Sequence, residues 1–157
     1  MGTGVIEAIV FVGLQGAGKT SFYLARFLQT HIRLSLDMLR TRHRLDLLVR
    51  ACIDARQPFV IDNTNISASE RALYIQPARA GRFRVVGYWF DTPVGECLRR
   101  NERREGRARV PVKGILGTAK RLEPPRMSEG FDALYRVRPD GSLGFAVEVW
   151  GDAVSRA

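Results

Sequence analysis

The stretch Val5-Ile6-Glu7-Ala8-Ile9-Val10-Phe11-Val12-Gly13-Leu14-Gln15-Gly16-Ala17-Gly18-Lys19-Thr20 decides the fold. Its first half is an apolar run interrupted only at Glu7 and Ala8. A run this short and continuous reads as a strand buried on both faces, as in a parallel sheet. Its second half, Gly13 to Thr20, fits the pattern G-x-x-x-x-G-K-[ST]. Glycines let the backbone curl so that successive N–H groups aim at one point, where an anion is held. A helix starting at Lys19 adds the positive end of its dipole. Strand, loop and helix in that order predict a phosphate-binding loop for ATP, with Gly13, Gly16, Ala17, Gly18, Lys19, Thr20 and Ser21 around the phosphates. Lys19 is expected on the β and γ phosphates, and the Thr20 hydroxyl on Mg²⁺.

Outward from the loop, strand and helix keep alternating. Lys19 to Gln29 reads as a helix with Phe22, Leu24, Ala25 and Leu28 as its apolar positions. His31 to Leu36 reads as a second strand, and Asp37 to Arg56 as one long helix carrying Leu45, Leu48, Val49 and Cys52 at helical spacing. Pro58 to Asp62 is a third strand. Ser67 to Ala80 is a helix with Ser67 and Glu70 at capping-box spacing. Phe83 to Phe90 is a fourth strand, rich in β-branched and aromatic residues. Pro93 to Glu105 is a helix with Pro93 suited to the first turn. The alternation predicts an α/β fold, a P-loop NTPase with a parallel sheet of about four to five strands and helices on both faces. Such sheets bind ligands beyond the carboxyl ends of their strands.

The pattern breaks at Gly106. Gly106 to Gly130 reads as a flap with a short helical stretch from Val112 to Leu122. Tyr135 to Arg138 and Phe145 to Trp150, joined by Pro139-Asp140-Gly141-Ser142, read as a terminal hairpin. No repeat or linker interrupts the chain, so residues 1–157 read as one domain.

Hydrophobic residues make up 45% of the chain, normal for a globular protein. No apolar run reaches the roughly 18–20 residues of a membrane helix. No signal-peptide pattern opens the chain. Cys52 and Cys97 lack metal-ligand spacing and read as reduced thiols of a cytoplasmic protein. The net charge is +9. Attraction to a polyanion such as nucleic acid is one reading of that charge. Compositional bias is the other, because Lys19, Lys113 and Lys120 are the only lysines and arginine carries the rest.

Three polar groups outside the loop are candidates for chemistry. Asp62 follows the third strand in Phe59-Val60-Ile61-Asp62-Asn63-Thr64-Asn65. P-loop enzymes hold Mg²⁺ partly through an acid at a second strand end; the competing reading is an Asx turn capping the next helix. Asp37 follows the second strand, with Arg40 one turn on. It is either the base that takes the proton of an attacking hydroxyl or a helix N-cap. Arg99, Arg100, Arg103, Arg104, Arg107 and Arg109 stand against only Glu102 and Glu105. They form either a lid that stabilises the phosphoryl group in flight or a solvated helix with i,i+4 ion pairs.

Taken together, the motifs resemble the 5′-kinase domain of the polynucleotide kinases, the phage and animal enzymes that heal nucleic-acid ends. The resemblance rests on the phosphate loop, Asp37-Met38-Leu39-Arg40, Val60-Ile61-Asp62-Asn63-Thr64-Asn65, Arg100-Asn101 to Arg104, Val110-Pro111-Val112 and Glu129-Gly130-Phe131, and covers roughly residues 5 to 137. It implies an ATP- and Mg²⁺-dependent kinase acting on the 5′-hydroxyl of DNA or RNA. Asp37 would be the general base and Arg40 the ligand of the acceptor strand's phosphate. Asn63 and Thr64 would shape the acceptor site, and Asp62 would join Thr20 at the metal. Arg104 would meet the transferred phosphate, with Lys19 as its partner and Arg100 beside the nucleotide; a one-residue shift would put Arg103 in the place of Arg104. The D-x-D-x-T motif of the phosphatase found in many relatives does not occur, so a kinase-only protein is implied, unless a phosphatase or ligase partner is encoded separately. Two other classes compete: a kinase of a small hydroxyl acceptor, like gluconate kinases or zeta toxins, and a nucleotide-dependent switch.

Overall fold

The computed structural model describes residues 5–141 and 144–151. Its strands are β1 (Glu7–Gly13), β2 (Ile32–Leu34), β3 (Phe59–Ile61), β4 (Arg84–Phe90), β5 (Ala133–Asp140) and β6 (Gly144–Val149). They form one sheet in the order β2-β3-β1-β4-β5-β6. The first five run parallel and β6 returns antiparallel along β5. The helices are α1 (Lys19–Arg26), α2 (Leu36–Leu39), α3 (Arg42–Ala55), α4 (Ala68–Ala80), α5 (Val94–Glu102) and α6 (Val112–Arg121).

Alternation along β1 assigns its side chains to two layers. Ala8 and Val10 pack against Leu45, Val49 and Cys52 of α3 and Tyr74, Ile75 and Ala78 of α4. Ile9 and Phe11 pack on the other face against Phe22 and Tyr23 of α1, Cys97 of α5 and Ile115 of α6. Helices therefore cover both faces, as the alternation of elements predicts. Cys52 and Cys97 are free thiols in opposite layers, which rules out a bond between them.

The sheet differs from expectation at its far edge. It has six strands rather than four or five, because the terminal hairpin belongs to it. β5 begins at Ala133, two residues before the expected start at Tyr135, and pairs with β4 from Val86–Ala133 to Phe90–Val137. Burial of Leu134 and Val137 fixes its inward face. Pro139 is tolerated because pairing with β4 has ended at Val137, so no partner waits for its missing N–H on that side. Ser142 of the expected turn lies outside the described residues.

Three helices also depart from the sequence reading. The buried face of α1 is Phe22 and Tyr23, continued by Phe27, whereas Leu24 and Leu28 are 56% and 55% exposed. Two turns of helix give periodicity too little length to decide, and aromatic contacts settle the matter: Phe11 meets Phe22 at 6.0 Å and Phe27 at 6.1 Å. The expected helix from Asp37 to Arg56 is split. Arg40 closes α2 at φ 73, and Thr41 caps α3 by accepting from the Arg44 N–H at 3.2 Å. A left-handed arginine costs about 1–3 kcal/mol, and no glycine or proline marks the break. α5 stops at Glu102 with Pro93 at its N-cap, which leaves Arg104 beyond the helix. Ser67 does cap α4, its hydroxyl accepting from the Glu70 N–H at 3.2 Å.

Arg71 of α4 is fully buried and ties the loop after β3 to the segment after α6. It donates to both carboxylate oxygens of Glu129, at 2.6 and 3.0 Å. It also donates to the carbonyls of Asn65 at 2.8 Å and Glu123 at 3.0 Å. Breaking a buried pair from one side strands the other charge. Arg71→Leu is expected to lower the unfolding free energy in urea by about 3–5 kcal/mol. Arg71→Leu combined with Glu129→Leu should recover part of that loss. A single variant within about 0.5 kcal/mol of the parent would contradict the assignment.

Candidate active site

The loop after β1 is shaped by positive φ at Gly16 (80°) and Gly18 (99°). A Cβ at Gly16 would lie 2.8 Å from the Cys97 carbonyl oxygen, so only glycine fits beneath α5. The loop is pinned from outside itself. Thr92 Oγ1 donates to the Ala17 carbonyl at 2.8 Å, and Arg100 Nη1 to the Gly16 carbonyl at 3.3 Å. The Gly13 N–H donates to the Thr64 carbonyl at 3.0 Å, which couples the loop to the Asp62–Asn65 segment. Asn65 Nδ2 strengthens that link by donating to the Phe11 carbonyl at 2.7 Å.

Lys19 is buried and folds back on its own loop, donating to the carbonyls of Gly13 at 2.9 Å and Leu14 at 2.7 Å. Burial pushes its ammonium down to about 8; Asp62 and Asp37 oppose that shift, and the positive charge of Arg104 adds to it. Thr20 and Ser21 open the exposed start of α1.

Asp62 is almost fully enclosed. Its Oδ2 accepts from Thr20 Oγ1 at 2.9 Å and from Arg33 Nε at 2.7 Å. It does not cap the following helix, because Ser67 does. The capping alternative for Asp37 also falls away. Ser35 is the N-cap of α2, and Asp37 sits exposed in its first turn. Arg40, at the C-cap of the same short helix, is exposed too. Asn63 Oδ1 accepts from the Leu36 N–H at 2.9 Å, which holds the Asp37 turn against the β3 end. Asn63 Nδ2 is enclosed without a hydrogen-bond partner among the described residues. Thr64 acts through its backbone, as above.

On the other side, Arg100 lies over the loop and pairs with Glu96 at 3.1 Å. Arg104 is half-buried with Nη1 3.4 Å from the Ala108 carbonyl, whereas Arg103 is exposed. Asn101 clamps the flap, donating to the Val110 carbonyl at 2.6 Å and accepting from its N–H at 2.8 Å. Phe145 of β6 packs 5.2 Å from the Phe22 ring, beside Gly18, so the hairpin reaches the loop. An open groove of about 380 Å³ runs along the carboxyl ends of β4 and β5, lined by Asp91, Pro93, Glu96, Arg136, Arg138 and Pro139.

Arg33, Thr92 and Phe145 are contributors that sequence reasoning missed, and Asn101 was named in the motif set without a role. The one available signal was Arg33 itself, a charge inside a short apolar strand. Thr92 and Phe145 act across separations that no local pattern encodes.

Thr20 and Asp62 offer hard oxygen donors that already meet, which fits Mg²⁺. Among the described residues no three His, Cys, Asp or Glu side chains cluster. Also among the described residues, no helix is long and apolar enough to cross a membrane.

Comparison with known proteins fits this geometry. Residues 29–125 match a family described as an AAA domain. The match begins after the phosphate loop. Chaetomium thermophilum Kti12, solved in complex with ADP-AlF3, is similar with a TM-score of 0.67 at 18% identity, over 86% of this chain and 90% of that one. A sugar kinase from a Janibacter species gives 0.66 at 18% identity, over 85% of each chain. The Mycobacterium tuberculosis APS kinase CysC, in complex with AMPPNP and APS, gives 0.58 at 19% identity, over 88% of this chain and 91% of that one. At these identities the likeness establishes a shared P-loop kinase fold.

Proposed function

The chain belongs to this AAA domain family, and from that premise we propose that it is an ATP-dependent phosphotransferase acting on the 5′-hydroxyl of a nucleic-acid strand. The observation that carries the reading is that hydrogen bonds join the phosphate loop to the other candidate groups: Thr20 Oγ1 donates to Asp62 at 2.9 Å, the Gly13 N–H to the Thr64 carbonyl at 3.0 Å, and Asn63 holds the Asp37 turn through the Leu36 N–H at 2.9 Å. A phosphoryl transfer needs a cation for the phosphates, an acid for the metal, a base for the acceptor and a cation for the transition state.

Lys19 turns from its own carbonyls to the β and γ phosphates of ATP. Arg100 flanks the nucleotide, with the groove beside it as room for the base. Thr20 and Asp62 hold Mg²⁺, whose chemistry there is to neutralise charge on the phosphate oxygens. Asp37, exposed and uncommitted to capping, accepts the proton of the attacking hydroxyl. Arg104 steadies the group in transit, and Arg40 meets a phosphate of the acceptor strand. The polynucleotide assignment draws on the net charge of +9 and on the ordered motif set. A small hydroxyl acceptor is the second reading, favoured by the sugar-kinase and APS-kinase neighbours.

Salt separates the two. For a 5′-OH oligonucleotide acceptor, KM should rise steeply between 50 and 200 mM salt, roughly tenfold or more. For a small sugar it should barely move. Phosphorylation of a gluconate-class sugar in preference to a 5′-OH strand, at any salt, would replace the first reading by the second.

Lys19 adds a pH dependence. In the free protein it loses its proton near pH 8. Phosphates favour its charged form, so nucleotide binding above pH 8 must draw a proton. Affinity for ADP in EDTA is expected to weaken as pH rises past 8, by up to tenfold per unit, and to be flat with respect to Lys19 below it. Calorimetry in buffers of different ionisation heat should detect the uptake, and Lys19→Met should remove it. Binding with no proton uptake at pH 8.5–9 would show that the charged form is not the one used.

A further inference from the structure

Arg33 occupies the position where the metal reading places an ion. Asp62, whose side chain is 2% exposed, accepts from Arg33 Nε at 2.7 Å on the same Oδ2 that accepts from Thr20 Oγ1. Arg33 Nη2 lies 3.4 Å from that Thr20 hydroxyl. One guanidinium thus spans both candidate metal ligands. An enclosed carboxylate needs a counter-charge, and Arg33 supplies the nearest one. Its side chain is 21% exposed and stands on edge strand β2, so it has solvent to swing into. Its only side-chain hydrogen bonds among the described residues are these two. A divalent ion between Thr20 and Asp62 repels the guanidinium from the same oxygen.

We propose that Arg33 is a built-in stand-in for the divalent cation: it neutralises Asp62 while no nucleotide is bound, and the incoming metal displaces it. The inference rests on the reading that Thr20 and Asp62 take the metal. Two consequences share a sign. With Arg33 present, Asp62 does not repel the phosphates of a metal-free nucleotide. With Arg33 present, the metal must also compete for Asp62. Arg33 therefore lowers the dependence of nucleotide binding on divalent cation, and its removal raises it.

The test uses Mn²⁺ as the probe, followed by electron paramagnetic resonance in the presence of ADP, together with ADP affinity in EDTA. In Arg33→Gln, Mn²⁺ should bind at least about tenfold more tightly and ADP in EDTA more weakly; the full interaction of two unit charges about 4 Å apart at an effective dielectric near 20 would be roughly 10³-fold, of which a partly exposed guanidinium that moves into solvent keeps a fraction. Arg33→Lys, which keeps a charge and guards against a folding defect in the first variant, should fall between Gln and the parent. In an Asp62→Asn background, Arg33→Gln should no longer change Mn²⁺ affinity. A saturable Mn²⁺ site unchanged or weakened by Arg33→Gln would overturn the stand-in role while leaving the metal reading intact. No saturable site in the parent protein would remove the metal reading and this inference with it.

Discussion

Asp37→Asn is expected to reduce transfer of the γ-phosphate to the acceptor hydroxyl by roughly 10²–10⁴-fold, the range for loss of a positioned general base. The nucleotide should still bind with nearly parental affinity. The asymmetry follows from where Asp37 stands. It is exposed in the first turn of α2, and the turn is held without it by the Ser35 cap and by Asn63 on the Leu36 N–H. Among the described residues, removing its charge costs no hydrogen bond or ion pair of the fold. It does remove one of the charges that favour the protonated form of Lys19, a small effect beside that of burial. Initial rates with labelled ATP, alongside ADP binding, separate the two quantities. Equal losses in rate and affinity would place Asp37 at the nucleotide rather than at the acceptor.

The second large effect belongs to the lid. Arg104→Ala should lower the transfer rate by roughly 10³-fold or more, as for arginines that stabilise a phosphoryl group in transit. Arg103→Ala should change it by no more than a few-fold. Arg104 is half-buried beside the Ala108 carbonyl and bears on Lys19 electrostatically. Arg103 points to solvent as the C-cap of α5. The one-residue ambiguity in aligning the lid is thereby turned into a comparison of two variants measured under the same conditions. A large loss in Arg103→Ala with little in Arg104→Ala would reverse the assignment.

How much of this was legible in the sequence depends on the range of the interaction. The phosphate loop was readable because its glycines, lysine and threonine act within eight residues of each other. The β3 end was readable because an apolar strand stops abruptly at Asp62. The cap reading for Asp62 was already weakened by the capping-box spacing of Ser67 and Glu70, whereas that for Asp37 was settled by Ser35 in the N-cap position. The split at Arg40 was hidden because the chain accepts a strained arginine there instead of using glycine. The fifth parallel strand was legible from Tyr135 to Arg138, but its start and its place beside β4 were not. Ala133 follows a stretch rich in glycine and proline, and only pairing with β4 makes it a strand. Arg33 and Thr92 were missed because their partners, Asp62 and Ala17, lie far along the chain. A local pattern can nominate a charged residue in a strand; it cannot say which carboxylate it will face.

The most direct test is to follow labelled γ-phosphate from ATP when the protein is given 5′-OH DNA and RNA strands, then digest the strands to mononucleotides. Label recovered as 5′-mononucleotide, lost in Asp37→Asn and in a strand already carrying a 5′-phosphate, is the predicted result. Label recovered only as inorganic phosphate, or transferred to a small sugar and to neither strand, would contradict the account.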